Sequence, residues 1–348
     1  MNSKKNTQDA DQMIDNLSYE KLALEANELR EKINRFRQSL GRYFVGKQNI
    51  IDLMTVCAVA QEPLLLVGPP GTAKSDLILK FKDAVQISDE DYFEYLLTRF
   101  TEPSEIIGPI DINLLREGKY IRREKGKLPT GQLIFLDEIF KSNSAILNYL
   151  LTIINERKFY QDGKAEPVRM KILFAATNEI PENSELLALK DRFCLKVSCD
   201  SVQENHFMEL IDAGLDAQTQ RDLKQKPWAE GHATLVDFLK AHRYLTLQMN
   251  RIETGLDGSI QRDRHLFFSE ELLHEMRRLI KTLKKEDGLF VSDRKIIKLY
   301  RLLRTRAWIF HGGAVERQDL LMLSYLGESI DEVSLLEEKV PKLLGIES

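Results

Sequence analysis

Lys74 and Ser75 close a segment, Gly68-Pro69-Pro70-Gly71-Thr72-Ala73-Lys74-Ser75, whose residue types suit the grip of a polyphosphate. A glycine loop between a strand and a helix turns backbone N–H groups toward an anion, and the helix dipole adds positive potential there. The lysine can then reach β- and γ-phosphate oxygens, and the serine hydroxyl can ligate Mg²⁺. The flanks agree: Leu64-Leu65-Leu66-Val67 has strand character, and Asp76-Leu77-Ile78-Leu79-Lys80-Phe81 reads as a helix. Gly68 through Asp76 are therefore candidate nucleotide contacts. Ala73 stands where the pattern has its second glycine. Its place at the start of the helix predicts that a Cβ is tolerated and that the phosphate grip changes only modestly. A glycine turn ahead of a helix, with no ligand, is the plainer alternative.

Hydrolysis needs a metal-holding carboxylate and a base, and Leu133-Ile134-Phe135-Leu136-Asp137-Glu138 offers both. Four apolar residues in succession suit a strand buried on both faces of a parallel sheet. The acids then fall at its C-terminal end, where ligands of open α/β sheets collect. Asp137 is the candidate for holding Mg²⁺ through water, and Glu138 for orienting and deprotonating the attacking water. A third apolar strand, Ile172-Leu173-Phe174-Ala175-Ala176, ends at Thr177-Asn178. The Asn178 amide can orient the lytic water beside a γ-phosphate, or simply open a turn. Arg192, in Leu189-Lys190-Asp191-Arg192-Phe193, is a candidate for neutralising charge on the transferred phosphoryl group. Taken alone, it reads more simply as a surface ion-pair partner.

In this order the motifs resemble those of the MoxR-type AAA+ ATPases, and within them the RavA-like branch. The matching stretches are Gly68 to Ser75, FEYLLTRFTEPSEIIGP at 93–109 and FLDEIFKSNSAILNYLLTIINERKF at 135–159. TNEIPE at 177–182, DRF at 191–193 and VSDRK at 291–295 complete the set. RavA-like proteins also carry Ala before the P-loop lysine. The resemblance implies ATP or ADP as ligand with Mg²⁺, Asn178 in the role of sensor 1, and Arg192 as an arginine finger acting on a neighbouring subunit. It implies that Arg294 is sensor 2, a catalytic and nucleotide-contacting cation that couples a lid to nucleotide state. Phe44, Val45 and Gly46 lie where such proteins pack the adenine ring. A homo-oligomeric ring, usually a hexamer, chaperone-like remodelling of a protein client, and often a partner with a von Willebrand A domain are implied as well. RavA-like proteins continue beyond the lid, whereas this sequence stops at Ser348. Partner docking is then expected through a separate protein, or through the N-terminal helix and hairpins.

Periodicity predicts the elements that must position these groups. Leu22, Ala26, Leu29, Ile33, Phe36 and Leu40 recur at alternating steps of four and three, one face of a helix that packs on the ATPase body. The polar residues 1–16 ahead of it are expected to fray. An α/β P-loop core, a parallel sheet flanked by helices, is expected over 42–200. A helical connector with loops follows over 201–269, and an all-α C-terminal lid over 270–348. Strand-like pieces around Ile110-Ile112 and Tyr120-Ile121, with Gly118 between, predict one inserted hairpin. Gln161-Asp162-Gly163 predicts the turn of a second. By resemblance both face the ring's centre, where Arg122-Arg123-Glu124-Lys125 would touch a substrate; a solvated hairpin tip is the simpler reading. Ile296, Tyr300, Leu303, Ala307 and Phe310 form an apolar stripe with an N-cap signal at Ser292-Asp293 and a glycine stop after His311. Arg294 then sits in a first helical turn, where a cation opposes the dipole. Reaching a γ-phosphate across the interdomain cleft would justify it.

Composition narrows the class. Lys and Arg number 50 against 54 Asp and Glu, a net charge of -4, which argues against strong electrostatic attraction to nucleic acid. No apolar stretch approaches the ~18 residues of a membrane-spanning helix. Met1-Asn2-Ser3-Lys4-Lys5-Asn6 lacks the apolar core of a secretory signal after it, so a cytoplasmic location is expected. Cys57, Cys194 and Cys199 are expected as reduced thiols, buried and without a metal. Two rivals stand beside the remodelling ATPase: a nucleotide-gated scaffold with slow turnover, and a DNA remodeller, which the acidic balance disfavours.

Overall fold

The short apolar runs assemble into one parallel sheet. The computed structural model describes residues 13–255 and 258–346; of the tail expected to fray, residues 1–12 lie outside the described residues. Residues 13–15 are helical, and Ile14 and Leu17 are buried, so this part of the tail docks on the body instead. Helix α1 (Tyr19–Gly41) buries the six residues its periodicity singled out, Leu22 to Leu40. It is followed by α2 (Gln48–Ala60), β1 (Leu64–Val67) and α3 (Lys74–Ala84). Strands β2 (Tyr92–Leu96) and β3 (Leu133–Asp137) come next.

Between β2 and β3 the expected first hairpin is an excursion of a different kind. It holds α4 (Pro103–Ile107) and α5 (Ile112–Arg116), and only an isolated antiparallel bridge joins Ile110 to Arg122. The Asp111 carboxylate caps α5 by accepting from the N–H groups of Asn113 and Leu114, which turns Ile112 into helix rather than strand. After α6 (Ser144–Glu156) the second hairpin forms as expected, β4 (Lys158–Gln161) against β5 (Lys164–Pro167), with Asp162 and Gly163 both at positive φ.

Strand β6 (Ile172–Thr177), the short helix α7 (Leu187–Lys190) and β7 (Leu195–Ser198) complete the core. The sheet order is β2-β3-β6-β1-β7, parallel throughout. Successive side chains of β1 enter opposite cores: Leu64 and Leu66 join one apolar cluster, Leu65 and Val67 the other.

The region expected as connector divides in two. Helix α8 (Gln203–Asp222) buries no residue, whereas α9 (Leu235–Asn250) packs on α1 and shares its core, with Phe238 edge-on to Phe36. A small hairpin, β8 (Ile252–Thr254) with β9 (Ile260–Arg262), follows. Then come α10 (Asp263–Phe267), α11 (Glu270–Asp287), α12 (Asp293–His311), a 3₁₀ stretch (Arg317–Tyr325) and α13 (Ile330–Leu344). The C-terminal region is helical, as expected, and most of its buried apolar residues belong to the same cluster as α1 and α2. Among the described residues no helix is long and apolar enough to cross a membrane.

Candidate functional site at the carboxyl edge of the sheet

The phosphate loop joins the carboxyl end of β1 to α3, and Gly68 lies against the backbone of Cys199: a Cβ built there would stand 2.5 Å from the Cys199 carbonyl oxygen. Only glycine lets the loop leave the strand so close to its neighbour. Gly71 takes φ 84 in open space, and Pro69 and Pro70 are exposed on the loop's crest. The Thr72 hydroxyl donates to the Pro69 carbonyl at 2.9 Å, pinning the turn.

Ala73 corrects the sequence expectation. It precedes the helix as its N-cap at φ 66 and ψ 19, in the left-handed region, so a Cβ here carries backbone strain. An L-residue pays about 1–2 kcal/mol for that conformation, which is why the pattern has glycine. The loop must turn this way before α3 begins at Lys74, and the helix geometry therefore overrides the local preference of alanine.

Lys74, 8% exposed, donates through Nζ to the Gly68 carbonyl at 2.5 Å, the Pro69 carbonyl at 2.9 Å and Asn178 Oδ1 at 3.1 Å. Asn178 in turn donates through Nδ2 to Glu138 Oε1. Asn178 thus links the loop lysine to the carboxylate of Glu138. Strand β3 delivers Asp137 and Glu138 at its carboxyl end, and Glu138 turns left-handed at φ 52 while its N–H donates to Asp137 Oδ1 at 2.9 Å. A non-glycine residue in that region at a strand end is a mark of imposed geometry. Lys141, which sequence reasoning missed, pairs with Glu138 Oε1 at 3.1 Å. Its spacing, three residues after the acid in a turn, was the available signal. Glu138 Oε2 is buried and has no hydrogen-bond partner among the described residues. A buried carboxylate oxygen without a donor is costly unless something polar is to meet it.

Beside the loop lies a cavity of about 220 Å³, lined by Phe44, Val45, Lys47, Gly71 to Ala73 and Asp76 on one side. Its other wall is α8, through Leu210, Ala213, Gly214 and Ala217, a wall the sequence did not announce. Gly46 does not line it. At φ 64 it brings the chain so close to α8 that a Cβ would stand 3.0 Å from Val202 Cγ1. Asp76 pairs with Lys80 at 2.9 Å, and Lys80 lies over the Phe44 ring at 4.6 Å, holding that ring in place. Ser75 follows Lys74 in the first turn of α3. Among the described residues no three His, Cys, Asp or Glu side chains gather as a metal cage. Ser75 and Asp137 carry the hard oxygen donors of which a Mg²⁺ ion takes one or two, phosphate oxygens and water filling the other positions.

Arg192 and Arg294 lie elsewhere. β7 runs parallel to β1 with Leu64 opposite Leu195 and Val67 opposite Ser198. Arg192, just before β7, is therefore at the amino edge of the sheet, while the phosphate loop leaves the carboxyl edge. Arg294 is in the first turn of α12 and shares a cavity of about 600 Å³ with Gln61, Glu62, Pro63, Arg157 and Lys298, at that same amino edge. This corrects the expected reach across the cleft: Arg294 neighbours Arg192, not this chain's own phosphate loop. Burial first, then the Arg294 guanidinium, push Arg192 below the ordinary guanidinium range, and Asp191 opposes them. Among the described residues Arg192 has one distant acceptor, Asp191 Oδ2 at 3.4 Å, and its buried Nε has none.

The comparisons agree with this architecture. Residues 31–236 match the family model of the MoxR domain in MoxR-vWA-beta-propeller ternary systems, and residues 270–339 match an AAA lid domain. An uncharacterized protein of Methanocaldococcus jannaschii is 41% identical over 296 residues, 84% of this chain and 70% of that protein. The chaperone MoxR1 of Mycobacterium tuberculosis is 25% identical over 175 residues, 49% of this chain and 45% of that one. A solved structure from Cytophaga hutchinsonii, of a protein proposed to be an ATPase, superposes with a TM-score of 0.67 at 17% identity, covering 94% of this chain and 98% of that one. With a parallel five-stranded core, a phosphate loop on the interior strand β1 and a helical lid, the chain belongs to the MoxR family of AAA+ ATPases.

Proposed function

We propose that the chain hydrolyses ATP at sites completed between subunits of a head-to-tail ring, and that it uses the cycle to remodel a protein client. The observation that carries this reading is the split of the charged groups. Lys74, Asn178 and Glu138 form one connected set at the carboxyl edge, and Arg192, with its Asp191 acceptor 3.4 Å away, stands with Arg294 at the other edge. An arginine that cannot reach its own nucleotide can serve the next subunit's, and such a finger is worth about 10³–10⁵ in rate.

In the proposed site the phosphates lie along the N–H groups of Gly71 to Ser75 and the base enters the cavity between Phe44, Val45 and α8. Ser75 and Asp137 would hold Mg²⁺, which when bound neutralises charge on the β- and γ-phosphates. Asn178 orients the attacking water, and Glu138 Oε2, the oxygen without a donor, takes its proton. The water oxygen bonds to the γ-phosphorus as the bond to the β–γ bridging oxygen breaks. Lys74, with Arg192 and Arg294 of the preceding subunit, neutralises the developing charge. Ring size, most simply six, follows from the family resemblance, as do the cytoplasmic setting and a von Willebrand A domain partner. The matched family description names MoxR–vWA systems, which supports that partner. The RavA-like placement rests on the quoted segments and on Ala73.

Turnover per subunit, measured against protein concentration, tests the reading. A rate that climbs steeply and then saturates is expected. Glu138→Gln should bind ATP, lose turnover and accumulate as assembled ring on sizing. An unchanged turnover in Glu138→Gln would remove the assigned base.

A further inference from the structure

The segment carrying Arg192 is tied down on three successive residues, and the ties come from the lid and from the sheet. Ser292 Oγ, the N-cap of α12, donates to Asp191 Oδ1 at 3.0 Å. Lys298 Nζ, six residues further along α12, donates to the Arg192 carbonyl at 3.1 Å. Lys196 Nζ, on β7, donates to the Phe193 carbonyl at 3.2 Å. Behind them, Glu328, just ahead of α13, pairs with both Lys196, at 3.2 Å, and Lys295 of α12. Lys196 is wholly buried and Lys295 is 1% exposed.

Two buried ammonium groups around one carboxylate are a poor way to gain stability. Removing each ion from water costs several kcal/mol, and apolar packing of the same volume would hold the lid at least as well. The bonds instead share a target: the backbone and neighbours of Arg192, the arginine the proposed reaction leans on most. They also leave that arginine, among the described residues, only the adjacent Asp191 carboxylate, 3.4 Å away and itself bonded by Ser292. Glu62 is taken by Lys298 at 2.9 Å and Arg301 at 3.4 Å, and Glu328 by the two buried lysines.

We infer that Ser292, Lys298 and Glu328 are positioning residues that fasten Arg192 to the lid, so that the lid's orientation sets whether Arg192 reaches the neighbouring nucleotide. The inference rests on the reading that Arg192 acts in trans. A shift of α12 against the sheet carries the Arg192 carbonyl with it through Lys298, and it pulls on Glu328, which links Lys295 of α12 to Lys196 of β7, the lysine that holds the Phe193 carbonyl. Rotation of the lid on one subunit is thereby converted into presentation or withdrawal of a cation at the next.

The test uses the full chain and compares Lys298→Met, Lys298→Arg, Glu328→Gln and Arg192→Ala. Lys298→Met keeps the length of the side chain and removes only its donor, and Glu62 retains Arg301. Lys298→Met and Glu328→Gln are expected to lower kcat about tenfold or more, with KM for ATP, nucleotide affinity and oligomer size within about twofold of the starting protein. Lys298→Arg should recover most of the lost kcat, because a guanidinium can still donate to the carbonyl. If Arg192→Ala loses turnover while Lys298→Met and Glu328→Gln keep it, the positioning role is wrong and the trans reading stands. If Arg192→Ala itself turns over normally, the trans reading fails and takes this inference with it. A loss that appears as a raised KM and a lowered Tm, unrelieved by Lys298→Arg, would mark a structural role and overturn the inference.

Discussion

The two edges of the sheet hold charge in opposite ways. At the carboxyl edge Lys74, Asn178, Glu138 and Lys141 satisfy one another and, among the described residues, leave Glu138 Oε2 without a donor. At the amino edge the cations outnumber their acceptors, and Arg192 and Arg294 repel each other. One edge is a phosphate grip whose lysine, Lys74, is held by Asn178 and the loop carbonyls; the other offers Arg192, whose Asp191 acceptor is 3.4 Å away. Each is half of a site, and the fold keeps the halves apart within one chain. A heterologous, head-to-tail contact between copies is the arrangement that would join them.

The comparison breaks first if the arginines are dispensable. Arg192→Ala is expected to lower kcat by about 10³-fold with nucleotide affinity unchanged, whereas Lys74→Ala loses affinity itself. Steady-state turnover and binding of a fluorescent nucleotide distinguish the two.

Next in size is a pH effect on stability. His242, in the same cavity as Arg294 and Arg301, donates through Nδ1 to the Val59 carbonyl at 2.8 Å. Burial holds its pKa down to about 4, from 6.5, and Arg301, Lys171 and Arg157 add to the effect against the hydrogen bond to Val59. Because the folded value is the lower one, the unfolded chain takes up a proton that the folded chain refuses between the two. Stability is therefore complete above the unfolded value and falls as pH drops toward the folded one. Between pH 7 and pH 5 the loss should be about 1–2 kcal/mol, read by denaturant melts, and His242→Gln should remove that dependence. An absent dependence would mean that the folded chain does not hold His242 neutral, and a steeper one that further groups titrate with it.

Arg294→Ala is expected to cost about tenfold in kcat, less than Arg192→Ala, since Arg294 is exposed and more freely screened. The smallest effect concerns the other edge. Ala73→Gly should raise stability by about 1 kcal/mol in a thermal melt, because glycine adopts the left-handed loop conformation without strain.

Much of the carboxyl edge was legible in the sequence, because strand, loop and helix signals coincide within a few residues. Asp137 and Glu138 follow an apolar run, Asn178 follows another, and parallel pairing brings the strand ends together. The six-residue face of α1 was equally plain. What sequence could not give was the placement of Arg294. Its position in a first helical turn was readable, but which edge of the sheet that turn meets depends on how α12 packs against α2 and the chain ahead of β7. Nor did periodicity warn that Asp111 would cap a helix where Ile110 and Ile112 suggested a strand. The left-handed Ala73 was hidden for a related reason: its conformation is set by the loop around it, against its own preference.

The most direct test mixes two defective chains. Lys74→Ala keeps Arg192 but loses its nucleotide, and Arg192→Ala keeps its nucleotide but lacks the finger. Each alone should be nearly inactive. In an equimolar mixture, shown to co-assemble by differently labelled chains, about a quarter of the wild-type turnover should return, from interfaces that pair an intact phosphate loop with an intact arginine. Co-assembly without any recovered turnover would contradict a site shared between subunits.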